Sequence, residues 1–244
     1  MEIFIVLFGL IIGSFLNVVI YRLPRGESLV HPSSHCPQCN HCLSWLDLFP
    51  IFSWLCLKGS CRYCHTRVSW RYPVVELLTG VLTLLTWYRF SWSVELIVFL
   101  FLTYILIAIA FIDFDLKIIP NVLTIPTLVF GIVFQLWQGH FGDALIGGLV
   151  GGGILLLVVL LYPKGMGMGD VKYLAMTGVF LGWAKVSYSL FLGCLIGMIV
   201  MVPLLLLKKM DRKKPFAFGP FLVIATLIMI YYGDWIMWFH FGVR

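Results

Sequence analysis

Residues 94–112 read VELIVFLFLTYILIAIAFI, and Asp113-Phe114-Asp115 follows at once. The stretch holds one charge, Glu95, in nineteen residues. A bilayer-spanning helix needs roughly 17–25 mostly apolar residues, so this run is long enough to cross. The acids that close it stand where a carboxylate is costly, and acids kept at such a place are usually functional. Further apolar runs lie on both sides, at 3–20, 73–89, 121–138, 143–162, 170–184, 186–207 and 216–234. The chain is therefore expected to be an all-α polytopic membrane protein of about eight transmembrane helices. Its composition agrees. Of 244 residues, 61% are hydrophobic and only 11% charged, with mean hydropathy +1.01. A soluble domain carries about a quarter charged residues.

The net charge of +6 is explained by topology rather than by nucleic acid, because basic residues gather in cytoplasmic loops. The first apolar run has no basic region before it and is followed by Arg22 and Arg25. It reads as a retained first helix with an outside N-terminus, not as a cleaved signal peptide. The interior loops are then 21–72, 113–120, 163–169 and 208–215. Of the 17 Lys and Arg residues, 14 fall in these loops or just past one, leaving Arg89, Lys185 and Arg244 outside. The patch from Lys208 to Lys214 suits contact with anionic lipid headgroups, although topology alone accounts for it. The expected organisation is a first helix (1–20), a cytoplasmic Cys-rich loop (21–72) and a helical membrane core (73–244).

Six of the seven cysteines lie between residues 36 and 64. Cys36-Pro37-Gln38-Cys39 and Cys61-Arg62-Tyr63-Cys64 form two C-x-x-C pairs with 21 residues between them. In a reducing compartment this spacing reads as a four-cysteine zinc site, each tight turn supplying two thiolates. Four thiolates leave no open position for substrate, so the zinc is structural. His35, His41, His65 and Cys42 are expected to be solvated neighbours, and Cys56 and Cys194 ordinary small apolar residues. The glycines at 147, 148, 151, 152 and 153 are read as a packing face, since small residues let helices approach closely in lipid.

A second acid, Asp170, closes the turn Gly167-Met168-Gly169-Asp170. An even number of expected spans separates it from Asp113, so both lie at cytoplasmic helix ends. Each has a plainer reading: Asp113 and Asp115 as a helix stop at the water interface, Asp170 as a helix cap. The alternating Gly165, Gly167 and Gly169 argue for more. Such backbone resists helix formation and lets a substrate strand approach closely. If Asp113 and Asp170 face one water, they share a proton. The ionised member takes a proton from water as it attacks a peptide carbonyl; the protonated member polarises that carbonyl and later protonates the amine. Glu76 is read as a packing partner for Arg71. The rival reading is an ion-coupled transporter or channel using the intramembrane acids. Both acids lie at one face, however, and no broken helix pair marks the midplane.

Together these residues resemble the bacterial type IV prepilin leader peptidases, which are also N-methyltransferases. The resemblance runs through Gly13-Ser14-Phe15-Leu16-Asn17 to Gly26 and both cysteine pairs. It continues with Arg71-Tyr72-Pro73, Val75-Glu76-Leu77, Ile112-Asp113, Pro120-Asn121, the turn from Gly167 to Asp170, and Phe218-Gly219-Pro220-Phe221. It implies an intramembrane aspartic protease of the GxGD type with Asp113 and Asp170 as its catalytic pair, Asp115 being the alternative for the first. It further implies prepilin and pseudopilin substrates, cleaved on the cytoplasmic side after a glycine. The new N-terminal amine is then methylated with S-adenosylmethionine. For that second reaction the resemblance points to the cytoplasmic loop, including Gly59. No glycine-rich nucleotide fingerprint appears, and Glu27 and Asp47 are read as solvated acids.

Overall fold

The computed structural model describes residues 1–162, 167–207 and 216–242. Among them the ordered elements are helical, apart from two isolated β-bridges, His35 to Cys42 and Ser60 to Arg67. The helices are α1 (Glu2–Arg22), α2 (Phe52–Cys56), α3 (Arg71–Phe90), α4 (Val94–Leu116), α5 (Asn121–Trp137), α6 (Phe141–Leu161), α7 (Met168–Leu206) and α8 (Gly219–Phe241). Five of them, α1, α4, α6, α7 and α8, are long and apolar enough to cross a membrane; α5 is apolar but shorter. Each expected apolar run falls on a helix. Two of them, 170–184 and 186–207, share α7, where Gly182 breaks the helical geometry at φ 78° and ψ 167°. The break falls near the end of the first run, at a φ open to glycine and strained for other residues. It loosens backbone carbonyls, and Gln135 of α5 answers by donating Nε2 to the carbonyls of Val179 (3.1 Å) and Phe180 (3.5 Å). Interrupted helices in lipid survive when a neighbour re-pairs their backbone in this way.

The chain forms two compact units, residues 1–108 and 109–244. In the first, α1 lies against α3. Lipid tails are as apolar as leucine, so such helices associate by close packing rather than by escape from water. A Cβ on Gly13 would stand 2.7 Å from Glu76 Cα, and one on Gly80 2.9 Å from Leu10 Cδ2. Thr79 and Thr83 turn their hydroxyls back onto the carbonyls of Val75 and Thr79, each at 2.7 Å. Both hydroxyls are thereby paired inside the seam.

In the second unit α7 is central, packed by α5, α6 and α8. The glycine face of α6 meets α7. A Cβ on Gly147 would run into the Gly178 carbonyl, and one on Gly151 would stand 2.5 Å from the Leu174 carbonyl. Gly153 faces open space, so the close contact uses the 147, 148, 151 and 152 positions. Behind it, Tyr173 Oη donates to Thr226 Oγ1 at 2.8 Å, and Ser189 Oγ lies 2.9 Å from the same oxygen. This wholly buried hydroxyl group ties α7 to α8.

Candidate active site

The second unit brings Asp113 and Asp170 within electrostatic reach of each other. Asp113 lies inside α4, which runs on to Leu116, so it does not stop the helix. Its residue is buried to 6% exposure, whereas Asp115 is exposed. The difference follows from helical rotation: two positions along, a side chain faces the other way. Ile112, beside Asp113, is fully buried.

Asp170 lies in the first turn of α7, which begins at Met168 with extended Gly167 as its N-cap. The cap is therefore not Asp170, and the Asp170 amide bonds the Gly167 carbonyl at 3.2 Å. Of the glycines expected to resist helix formation, Gly167 is extended and Gly169 is helical. A Cβ on Gly169 would press to 3.1 Å from Ile119 Cβ, so glycine lets the start of α7 sit against the segment leading to Pro120. Nearby, Lys172 Nζ donates to Asn121 Oδ1 at 2.9 Å, joining α7 to the start of α5. Lys164, Gly165 and the basic patch from Lys208 to Lys214 lie outside the described residues.

A third element completes this site. The Gly219 amide, at the start of α8, donates to Asp113 Oδ2 at 2.8 Å. The N-terminal end of a helix also favours a negative group. A Cβ on Gly219 would stand 2.7 Å from that oxygen and 3.0 Å from Asp113 Cγ. In the sequence, Phe218-Gly219-Pro220-Phe221 is no more than a pattern. Its role depends on a contact 106 residues away, which no local signal reports. Gly219→Ala should push the Asp113 carboxylate aside. A misplacement of about 1 Å at a reacting group costs about a hundredfold. The expected result is a fall of roughly 10- to 100-fold in any peptide cleavage the pair performs. Wild-type cleavage by this variant would show that the contact does not position Asp113.

In the first unit the four cysteines expected to bind metal converge. The sulfurs of Cys36, Cys39, Cys61 and Cys64 all lie within 4.8 Å of one another, and this cluster can hold a metal ion. The two turns repeat one geometry. The amide of Cys36 bonds the His41 carbonyl (3.0 Å) and that of Cys61 the Thr66 carbonyl (2.8 Å). Asn40 and His65, four residues after each first cysteine, take positive φ of 54° and 57°. His35, His41, His65 and Cys42 stand outside the cluster. Cys56 and Cys194 are exposed, which for Cys194 means the outer face of an apolar helix.

Asp47, expected to be solvated, instead organises the loop. It accepts from Ser44 Oγ (2.7 Å), Ser44 N (3.0 Å) and Arg62 Nε (2.6 Å). Burial pushes its carboxyl up, but the Ser44 and Arg62 bonds outweigh that and hold it below the ordinary carboxylate range. This unit also encloses a cavity of about 560 Å³ between the facing ends of α1 and α3 and the Cys-rich loop.

A multi-pass helical protein that presents two acids from different helices in one unit and carries a four-cysteine cluster in the other defines a narrow class. Residues 7–90 match the bacterial peptidase A24 N-terminal domain, and residues 100–202 the type IV leader peptidase family. The chain belongs to that family. It is 39% identical to a prepilin leader peptidase/N-methyltransferase of Aeromonas salmonicida, over 93% of this chain and 89% of the relative. It is 40% identical to one from Myxococcus xanthus over 84% and 63%, and 35% identical to one from Pseudomonas aeruginosa over 94% and 89%. No solved structure matches it.

Proposed function

We propose that the protein is a membrane-embedded prepilin leader peptidase that also N-methylates its product. The relatives' names support both activities and give the transporter reading no support. The observation that carries the peptidase reading is the approach of Asp113 and Asp170 in one unit, with Asp113 held by the Gly219 amide. The two carboxyl groups share one proton. The ionised one takes a proton from water as the water oxygen bonds the scissile carbonyl carbon. The protonated one hydrogen-bonds the carbonyl oxygen and then passes its proton to the departing nitrogen as the C–N bond breaks. Gly167 leaves room for the substrate backbone beside Asp170, while Gly169 lets the active-site turn sit against Ile119.

The substrates are prepilins and pseudopilins of the type IV pilus class, and the methyl donor is S-adenosylmethionine. The protein sits in the inner, cytoplasmic membrane with its N-terminus outside. Loop 21–72 and both aspartates face the cytoplasm, an orientation supported by the distribution of Lys and Arg. The test is mass spectrometry of a purified prepilin incubated with the protein and S-adenosylmethionine. Leader loss plus one added methyl group supports the reading; an intact leader contradicts it.

The ion in the cysteine cluster is zinc. Zn–S bonds near 2.3 Å set tetrahedral sulfurs about 3.8 Å apart, and Cys36 Sγ and Cys64 Sγ are separated by 3.7 Å. When bound, zinc supplies cross-linking rather than reaction chemistry, because all four positions are thiolates. Cys61→Ser should drop bound zinc from one to near zero per chain by plasma mass spectrometry. Methylation of an already cleaved pilin should fall more than leader cleavage does. Full zinc occupancy in that variant would contradict the assignment.

A further inference from the structure

Between the two cysteine pairs lies a run that peptide cleavage does not use. Residues 43–57 read LSWLDLFPIFSWLCL, with a single charge, Asp47. An apolar run of about 10–14 residues is too short to span a bilayer and forms either a buried core element or a segment set in the membrane interface. The structure excludes the first. Trp45 is 75% exposed, Phe49 48%, Phe52 54% and Leu55 58%.

The exposure has a side. Ser53, Trp54 and Leu57 line the cavity of the first unit, and the Trp54 indole N–H donates to the Val68 carbonyl at 3.2 Å. Phe52 and Leu55, three positions apart on α2, share another face. The Phe49 ring extends that face, its centroid 5.6 Å from that of Phe52. Adjacent aromatic and aliphatic side chains left open in this way mark an interaction surface.

The depth of the segment says what covers it. The Ile51 amide donates to the Glu76 carboxylate at 2.7 Å, and that carboxylate also accepts from the Ser14 side chain. Arg22 closes α1 and Arg71 opens α3 on the side of the loop. At 1.5 Å per residue, Glu76 stands about 7 Å along α3 from Arg71, and Ser14 about 12 Å along α1 from Arg22. Ile51 is therefore held inward of the helix ends, not out beyond them. Because α1 is long and apolar enough to cross a membrane, that position falls at the boundary of headgroups and acyl chains, where an interfacial segment buries its apolar face roughly 5–10 Å deep. Tyr21 and Trp70, exposed at the same two helix ends, are of the types that gather at the membrane–water boundary.

The polar groups of the segment are already closed, as lipid requires. The amides of Leu48, Ser53, Leu55 and Leu57 bond carbonyls four residues back, at 3.3, 3.2, 2.9 and 3.0 Å. The Asp47 side chain is only 4% exposed. Its oxygens are taken by Ser44 Oγ at 2.7 Å, Arg62 Nε at 2.6 Å and Tyr63 Oη at 3.3 Å. The run ends at Lys58, an exposed charge suited to the headgroup layer.

We propose that residues 45–55 are an interfacial membrane anchor, with Phe49, Phe52 and Leu55 immersed in the lipid of the bilayer that α1 crosses. The Cys-rich loop is then fastened to the membrane surface between its two helical ends, rather than standing free in water. This holds whichever side of the membrane the loop faces.

The test uses the full-length protein in vesicles of phosphatidylethanolamine and phosphatidylglycerol doped with a phospholipid that carries a diazirine in its acyl chain. After irradiation, mass spectrometry maps the lipid adducts. In wild type, peptides covering 45–57 should be labelled as α1 is, and at least about fivefold more than those covering 28–41, the contrast expected of a segment buried in the acyl boundary. Phe49→Ser combined with Phe52→Ser should lower that labelling at least about threefold, since attachment scales with buried apolar area. Bound metal per chain, measured alongside, reports whether the loop keeps its fold; if it does not, the wild-type map decides alone. Peptides 45–57 without label overturn the proposal. So does label that saturating prepilin displaces, which would make the face a substrate dock. Label that disappears as protein density in the vesicle rises would assign the face to a second copy of the chain and overturn it equally.

Discussion

Asp113→Asn and Asp170→Asn should each lower prepilin cleavage by about 10²- to 10⁴-fold, the range set by losing a positioned general acid or base. The magnitude follows from the two roles being inseparable. One carboxyl must hold the shared proton while the other accepts one, and an amide can do neither. The double variant should therefore be little worse than either single one, because groups that act as a unit are strongly non-additive. Single-turnover cleavage of a purified prepilin, with thermal unfolding as the folding control, checks this. Losses that multiply in the double variant would mean that the two acids act in separate steps.

Gly147→Val should destabilise the second unit more than any other single apolar change in α6. The new Cβ would collide with the Gly178 carbonyl, and Gly178 is pressed equally hard against the Gly147 backbone. Neither partner is a side chain that can swing away. Overpacking costs about 1–3 kcal/mol, and more where the backbone must move. At about 2–4 °C per kcal/mol in a chain of this size, the midpoint should fall by roughly 3–10 °C. Cleavage should fall with it, because Asp170 rides on the first turn of the displaced α7. Gly153→Val is the control: nothing lies within 4 Å of its Cβ position, so its midpoint should stay near wild type. Equal loss in both variants would point to helix propensity rather than to the contact.

The helical segments were legible in the sequence because apolar runs of span length, in a chain so poor in charge, have little use outside a bilayer. The two acids were legible because a carboxylate at the end of such a run is costly. The cysteine pairs were legible because thiolate chemistry fixes their spacing, and the structure repeats one turn at each. The fused pair of runs in α7 was harder. Gly182 breaks the helical geometry, but whether one helix or two results depends on how Gln135 pairs the freed carbonyls.

The Gly219 amide on Asp113 and the buried settings of Asn17 and Glu76 were not legible. Asn17 and Glu76 are ordinary residues of α1 and α3. Only the close seam of Gly13 against Glu76, and the fold of the loop that brings the Ile51 amide to the Glu76 carboxylate, bury them. Asp47 departs from its expected solvation for the same reason: Arg62 and Tyr63, which join Ser44 as its partners, are brought to it by the second cysteine turn.

The most direct test of the central claim compares leader cleavage by Asp113→Asn, Asp115→Asn and Asp170→Asn in one lipid preparation, read by product mass. Asp113 is buried and Asp170 within its electrostatic reach, whereas Asp115 is exposed. The account predicts that the Asp113 and Asp170 variants leave the leader attached while Asp115→Asn removes it at close to the wild-type rate. Loss with Asp115→Asn and retention with Asp113→Asn would contradict the assignment, and cleavage by all three would refute the aspartate-pair mechanism.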